Sequence, residues 1–276
     1  MPGQFERISG VGFHFPHAAV TAGQYSMAHE AEHKPAPKPE SLPPVFVTVS
    51  REPGAGGITF SHRLAERLNA LTGGREVAPG GPPAWSAWDR ELVEKVSQET
   101  GITRSVIEKI EERPHSWLDD FFQGFSQSGE SLPAAEMQAY KRIAVTVRAL
   151  ATAGHAILVG QGAAFVTKGM AGGVHVRLVA TLEQRIKLMS TTYNLPPNKA
   201  AARIREIEHN RTAFFHRFWP GKVLTPEMFT MTLNSGEMSL DELVECVLPI
   251  IRSRDPSLAA TGASMSVVDV VGALRL

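Results

Sequence analysis

VFVTVSREPGAGGITFSHRLAERL, residues 45–68, joins three kinds of sequence in one line. An apolar, β-branched run (Val45, Phe46, Val47, Thr48, Val49) reads as a buried strand. The turn Gly54-Ala55-Gly56-Gly57 follows, and Leu64, Ala65 and Leu68 then recur at the spacing of an amphipathic helix. Strand, glycine turn and helix lay free backbone N–H groups around a phosphate, and the helix N-terminus adds positive potential. A complete phosphate loop would continue Gly-Lys-Ser/Thr. Here the lysine position holds Gly57 and the hydroxyl position Ile58, so the cradle is present without two of its usual chemical groups. Gly54, Ala55, Gly56, Gly57, Ile58 and Thr59 are the candidate nucleotide-binding residues. Ile58 offers no metal ligand, and Thr59 reaches one only if the helix start shifts. Arg51 is the nearest cation, with two open roles: contact with phosphate, or a salt bridge to Glu52.

Working outward, 276 residues suffice for one large α/β domain with appendages. No apolar run approaches the roughly 18–20 residues needed to cross a bilayer. Lys plus Arg and Asp plus Glu are 28 each. No global field or basic stripe therefore favours nucleic acid or a membrane surface, neither is expected as a partner, and an anion site has to be local. The one cysteine, Cys246, cannot form a disulfide within the chain, which fits a reducing, cytoplasmic setting. Residues 1–44 are rich in His and Pro and end KPAPKPESLPP, the composition of a disordered leader, with Met27 a candidate alternative start. Within that leader His29-Glu30-Ala31-Glu32-His33 satisfies the zinc-protease pattern H-E-x-x-H. It runs straight into Lys34-Pro35-Ala36-Pro37 with no apolar stripe to bury, so it reads as a chance match, and no metal site is assigned.

Residues 72–87 read as a Gly/Pro-rich loop. Helices are expected from Asp89 to near Gly101 and from Thr103 to Pro114, followed by an aromatic cluster at Trp117, Phe121, Phe122 and Phe125. A long helix runs from Pro133 to Ala153 and stops at Gly154. HAILVG (155–160) is a short buried strand leading into Gly160-Gln161-Gly162, and VHVRLVA (174–180) is another. Thr181–Gln184 and Ser239–Glu242 are capping boxes, each opening a helix. Between them lie a charged helix from Asn198 to about Phe215 and a strand, FTMTLNS, at 229–235. Alternating strands and helices predict a mostly parallel sheet covered on both faces, with ligands at the C-terminal ends of its strands.

Five segments in this order resemble the cytidylate-kinase-like family of P-loop nucleoside monophosphate kinases. They are VTVSREPGAGG, Trp88-Asp89-Arg90-Glu91-Leu92-Val93, AILVGQGAAF (156–165), HVRLVATLEQRI (175–186) and MTLNSGEMSLDELVECVL (231–248). The resemblance implies a three-layer P-loop fold over residues 45–252, with a helical acceptor and lid region, the lid at about 203–222. Residues 253–276 are left as a tail of uncertain structure.

The resemblance also implies roles. Its branch of P-loop proteins lacks the loop lysine, but carries arginines where this chain has Ile58 and Gln161. Asp89 and Arg90 read either as a helix cap beside a solvated arginine or as an acceptor pair with Arg90 on the monophosphate; Gln161 completes the acceptor set. Arg211 and Arg217 match lid arginines, against the plainer reading of a charged helical face. Phe214, Phe215, Phe218 and Trp219 beside them indicate a segment folded onto the protein. Arg185 matches a family arginine, or else pairs with Glu183 or another neighbour. The expected activity is ATP-dependent phosphoryl transfer, with Mg²⁺, to a nucleoside monophosphate or similar small acceptor. The alternative is a nucleotide-binding sensor or interaction module with little transfer activity.

Overall fold

In the computed structural model, residues 42–72, 84–89 and 134–259 are described. The leader through residue 41, Arg90, the helices expected at 89–114, the aromatic cluster at 117–125 and residues 260–276 lie outside the described residues. Five strands form one sheet in the order β2-β3-β1-β4-β5: β1 Phe46–Arg51, β2 Ser86–Trp88, β3 Ala156–Val159, β4 Gly173–Val179 and β5 Met231–Asn234. Every adjacent pair is parallel, so all five strands point their C-terminal ends to one edge. The described helices are α1 Gly57–Leu71, α2 Ala134–Ala153, α3 Ala163–Val166, α4 Leu182–Tyr193, α5 Pro197–Phe218, α6 Leu240–Arg254 and α7 Pro256–Ala259.

Alternation along β1 explains the three layers. Val45, Val47 and Val49 point to one face and pack with Phe60, Leu64 and Leu68 of α1 and with Val244, Val247 and Ile251 of α6. Phe46 points to the other face, among Tyr140, Ala144 and Val147 of α2 and Val166 of α3. A strand buried on both sides has to read as a continuous apolar run, which is what residues 45–49 show. Phe46, Val47, Phe60, Leu64 and Leu68 are fully buried; each contributes about 1.5–3 kcal/mol relative to exposure. Both capping boxes form: Thr181 accepts from the Gln184 N–H, and Ser239 from the Glu242 N–H.

Three local expectations are corrected. Residues 86–88 are a strand, not the end of a loop; they gain their hydrogen bonds from β3, in register Trp88↔Leu158. The charged helix continues past Phe215 to Phe218. The region from 253 is helical as far as Ala259, because Asp255 starts a short turn of helix after α6. Among the described residues no helix is long and apolar enough to cross a membrane.

Candidate active site

The glycine turn lies at the C-terminal end of β1. Gly54 has φ +84°, and a Cβ there would stand 2.7 Å from the Arg185 carbonyl oxygen. Glycine alone satisfies both conditions. Gly56 is also left-handed and precedes α1 with no side-chain cap, so the positive end of the helix remains available to an anion. Ala55 is buried, Gly57 begins α1, and Ile58 and Thr59 are exposed on its first turn. Ser61 turns inward instead, its hydroxyl donating to the Gly57 carbonyl at 2.7 Å.

Arg51 and Glu52 leave the strand in different directions, and they do not pair. The Glu52 carboxylate accepts from the Ala180 N–H at 3.0 Å and faces Arg185 Nε at 3.6 Å. Arg185, 8% exposed, also donates through Nη1 to Glu208 on α5 at 2.6 Å and to the Pro53 carbonyl at 3.3 Å. Its partners are therefore Glu52 and Glu208, not Glu183, and it fastens the approach to the glycine turn onto α5.

The Arg51 stem lies against Gly57, where an added Cβ would be 2.7 Å from Arg51 Cγ. Its guanidinium lies under Gly160, where an added Cβ would be 1.9 Å from Nη1. Among the described residues no hydrogen bond to that guanidinium is found. Burial first, and then the Arg211 guanidinium, push Arg51 down to about 9, with Asp89 acting in the opposite direction. Arg211 itself donates to the Arg51 carbonyl at 2.8 Å. Burial lowers its pKa too, opposed by Glu208.

A cavity of about 810 Å³ opens between this corner and α5. Thr48, Ser50 and Arg177 form its sheet side, Arg203, Ile207 and Arg211 its α5 side, and Gln161 with Tyr140 and Phe165 the wall between. Gln161 takes φ +54°, unusual for a residue with a side chain, and its carbonyl accepts from the Tyr140 hydroxyl at 3.2 Å. The aromatic residues of α5 do fold down. Phe218 stands 4.2 Å from Tyr140 between ring centroids, and Trp219 stacks on Phe165 at 5.1 Å.

Asp89 directly follows β2 and is close enough to Arg51 to act on its charge, so Arg51, Asp89, Gln161 and Arg211 meet at one corner. Arg217 is exposed on the last turn of α5 and is not part of the cavity wall. The glycine turn from Gly54 to Thr59 borders the corner without lining the cavity, whose β1 side ends at Pro53. Arg177, Arg203 and Tyr140 were not singled out from sequence. Arg177 carried a usable signal: it is a charged residue between Val176 and Leu178 in a strand whose other face is core.

The fit for magnesium is poor on the protein side. Among the described residues no three His, Cys, Asp or Glu side chains gather to hold a metal. Ile58 fills the usual hydroxyl position, and Glu52 is committed to Arg185. Among the described residues the donor set does not build a protein-held Mg²⁺ site.

Comparison with known proteins agrees with this architecture. In fold, the chain is similar to an uncharacterized protein from Eubacterium ventriosum, at 14% identity and a TM-score of 0.56, covering 76% of this chain and 99% of that one. Weaker matches are a shikimate kinase from Bacteroides thetaiotaomicron (13% identity, TM-score 0.38, covering 75% and 98%) and TT1252 from Thermus thermophilus (12%, 0.36, covering 76% and 98%). No curated protein matches the chain significantly. The sequence profile of the cytidylate kinase-like family matches residues 85–237, which run from β2 through the cavity wall and α5 to the turn after β5. With that match spanning more than half of the chain, on a parallel sheet of the expected kind, the protein belongs to the cytidylate kinase-like family.

Proposed function

We propose that this chain transfers the γ-phosphoryl group of Mg·ATP to a nucleoside monophosphate or a similar small anionic acceptor. The donor phosphates would lie on the N–H groups of Gly54–Thr59 at the uncapped start of α1, and the acceptor in the cavity beside Asp89 and Gln161. An acceptor oxygen attacks the γ-phosphorus, the bond to the β-phosphate bridging oxygen breaks, and ADP leaves. Such transfer needs positioning and neutralisation of phosphate charge more than covalent chemistry. Arg51 and Arg211 are the cations placed for that work, Arg211 from α5 acting as the lid. Arg217 joins only if α5 moves. The catalytic unit in this reading is residues 45–252, in the cytoplasm.

One observation carries the reading. Two arginines converge at the exits of β1 and β3; Glu52 and Glu208 pair with Arg185, and the repulsion of Arg51 by Arg211 outweighs its attraction to Asp89. Desolvated cations whose mutual repulsion exceeds the nearby counter-charge favour an anionic ligand. A coupled ADP-release assay with Mg·ATP and CMP, dCMP, UMP or AMP tests it; stimulation by one of these acceptors is expected, and no stimulation by any would overturn transfer. Ile58, 46% exposed where a metal-binding hydroxyl would stand, favours a second reading as a nucleotide-binding sensor. Calorimetry showing ATP binding without turnover would select it.

A further inference from the structure

The missing loop lysine has a geometric counterpart. A side chain at residue 57 would begin 2.7 Å from Arg51 Cγ, 2.9 Å from Cβ and 3.2 Å from Cδ. The space that a loop side chain would enter is already filled by the stem of Arg51, so an arginine at 51 and a lysine at 57 exclude each other. At the other end of the same side chain, a Cβ on Gly160 would overlap Nη1, and Gly160 also needs its positive φ of +76°. Two glycines, one at the start of α1 and one at the exit of β3, thus form a passage with one side chain running through it. The guanidinium lies under Gly160, within electrostatic reach of Asp89 and Arg211.

We propose that Arg51 delivers from the strand side the phosphate-neutralising cation that a lysine delivers from within other phosphate loops, and that Gly57 and Gly160 are glycines in order to admit it. The inference rests on the nucleotide-binding reading above and assigns the ligand of this cation: the terminal phosphoryl group of a nucleoside triphosphate held on the glycine turn. Arginine suits that position because its planar fork can meet two phosphate oxygens at once, which a single ammonium does not. Glu52, its sequence neighbour, is turned away to Ala180 and Arg185 and leaves the fork unclaimed. Gly57 is then a relocation of the charge rather than a loss of it.

The test moves the charge back. Mg·ATP and Mg·ADP are titrated calorimetrically into the full-length wild type, Arg51→Met, Gly57→Lys and the double variant Arg51→Ala/Gly57→Lys, each checked for a cooperative thermal melt. Methionine keeps most of the stem that packs on Gly57 while removing the fork. Arg51→Met is expected to lose about 30-fold or more in ATP affinity, the scale of a charge-assisted phosphate contact, and distinctly less for ADP. The double variant is expected to regain about tenfold over Arg51→Met, and Gly57→Lys alone to bind worse than the double variant, because its lysine meets the Cγ and Cδ of the arginine stem, which alanine at 51 removes. ATP affinity in Arg51→Met equal to wild type, or a folded double variant binding no better than Arg51→Met, would overturn the relocation. If the double variant fails to fold, the Arg51→Met comparison of ATP with ADP decides alone, and equal losses for both nucleotides count against it. A wild type that binds neither nucleotide overturns the nucleotide reading itself, a result separate from every variant comparison.

Discussion

Arg51 and Arg185 press on the same short segment, Arg51–Gly54, and their surroundings are opposite. Arg185 is held by two carboxylates and two carbonyls: Glu52, Glu208, Pro53 and Ala180. Arg51 has a second arginine as its nearest strong influence after burial, and its pKa falls to about 9. Burying a charge is tolerable when its hydrogen bonds are met and costly when they are not. The difference separates two uses of one residue type within a few ångströms. Arg185 spends its donors on the fold, tying the glycine turn and β4 to α5, whereas the proposed partner of Arg51 is a nucleotide phosphate.

The sharpest way to break this contrast is to remove each arginine and read both stability and turnover. Arg51→Met is expected to lower kcat/KM by about 10³, the scale for a cation acting on a transferring phosphoryl group. Its melting temperature should stay level or rise, since a desolvated cation beside Arg211 is gone. A large fall in stability with little loss of turnover would make Arg51 a second structural arginine and erase the comparison. Arg185→Met should behave in the reverse sense. It strands Glu52 and Glu208, at a cost of about 2–4 kcal/mol in denaturant unfolding, kept below the fully buried limit because the Glu208 side chain is 42% exposed. Pairing it with Glu208→Gln should give a loss smaller than the sum of the single losses, as expected for directly coupled groups.

How much of this was legible before the structure depends on whether the signal was local. The strand at 45–49, the glycine turn and the two capping boxes are written into consecutive residues, and all of them formed. The strand at Ser86–Trp88 was missed because three residues in a Gly/Pro-rich stretch carry no pattern of their own; they become a strand only by pairing with β3. Asp89, Gln161 and Arg211 were singled out and lie at one corner, since strand exits in a parallel sheet converge by topology. The Arg51–Glu52 pairing failed for a reason that sequence already contains: neighbours at a strand end point to opposite sides. The partners of Arg185 come from positions 52 and 208, separations that no local pattern reveals. Gly57 as making room for Arg51 was illegible too, because its cause is a side chain six residues earlier folding back on it.

Smaller perturbations sharpen the contrast without deleting either arginine. Gly160→Ala places a methyl group on Nη1 of Arg51 and strains a backbone at φ +76°. It should lower kcat/KM about tenfold or more and cost about 1–2 kcal/mol of stability. If turnover stays at the wild-type level while stability falls, the guanidinium does not need its passage.

The far end of the sheet supplies the control, and the smallest expected effect. There Asp255 is 5% exposed, its Oδ2 stands 2.9 Å from His155 Nε2, and its Oδ1 accepts from the N–H and hydroxyl of Ser257. His155 in turn stacks on Trp85, joining α7 to the segment ahead of β2. Burial pushes the Asp255 carboxyl upward, yet the hydrogen bonds from His155 and Ser257 outweigh it and hold the group below its usual range. A carboxylate with a depressed folded pKa contributes stability that is present above its unfolded value of about 3.9 and is lost as pH falls through the folded value. Asp255→Asn keeps the shape and removes the charge, so it should cost about 1 kcal/mol at neutral pH and flatten the acid limb of the stability profile. Its kcat/KM should match the wild type, because this clasp lies at the edge of the sheet opposite the glycine turn. That places Asp255 with Arg185, as a buried charge paired within the protein, in contrast to Arg51, for which the proposed partner is a ligand.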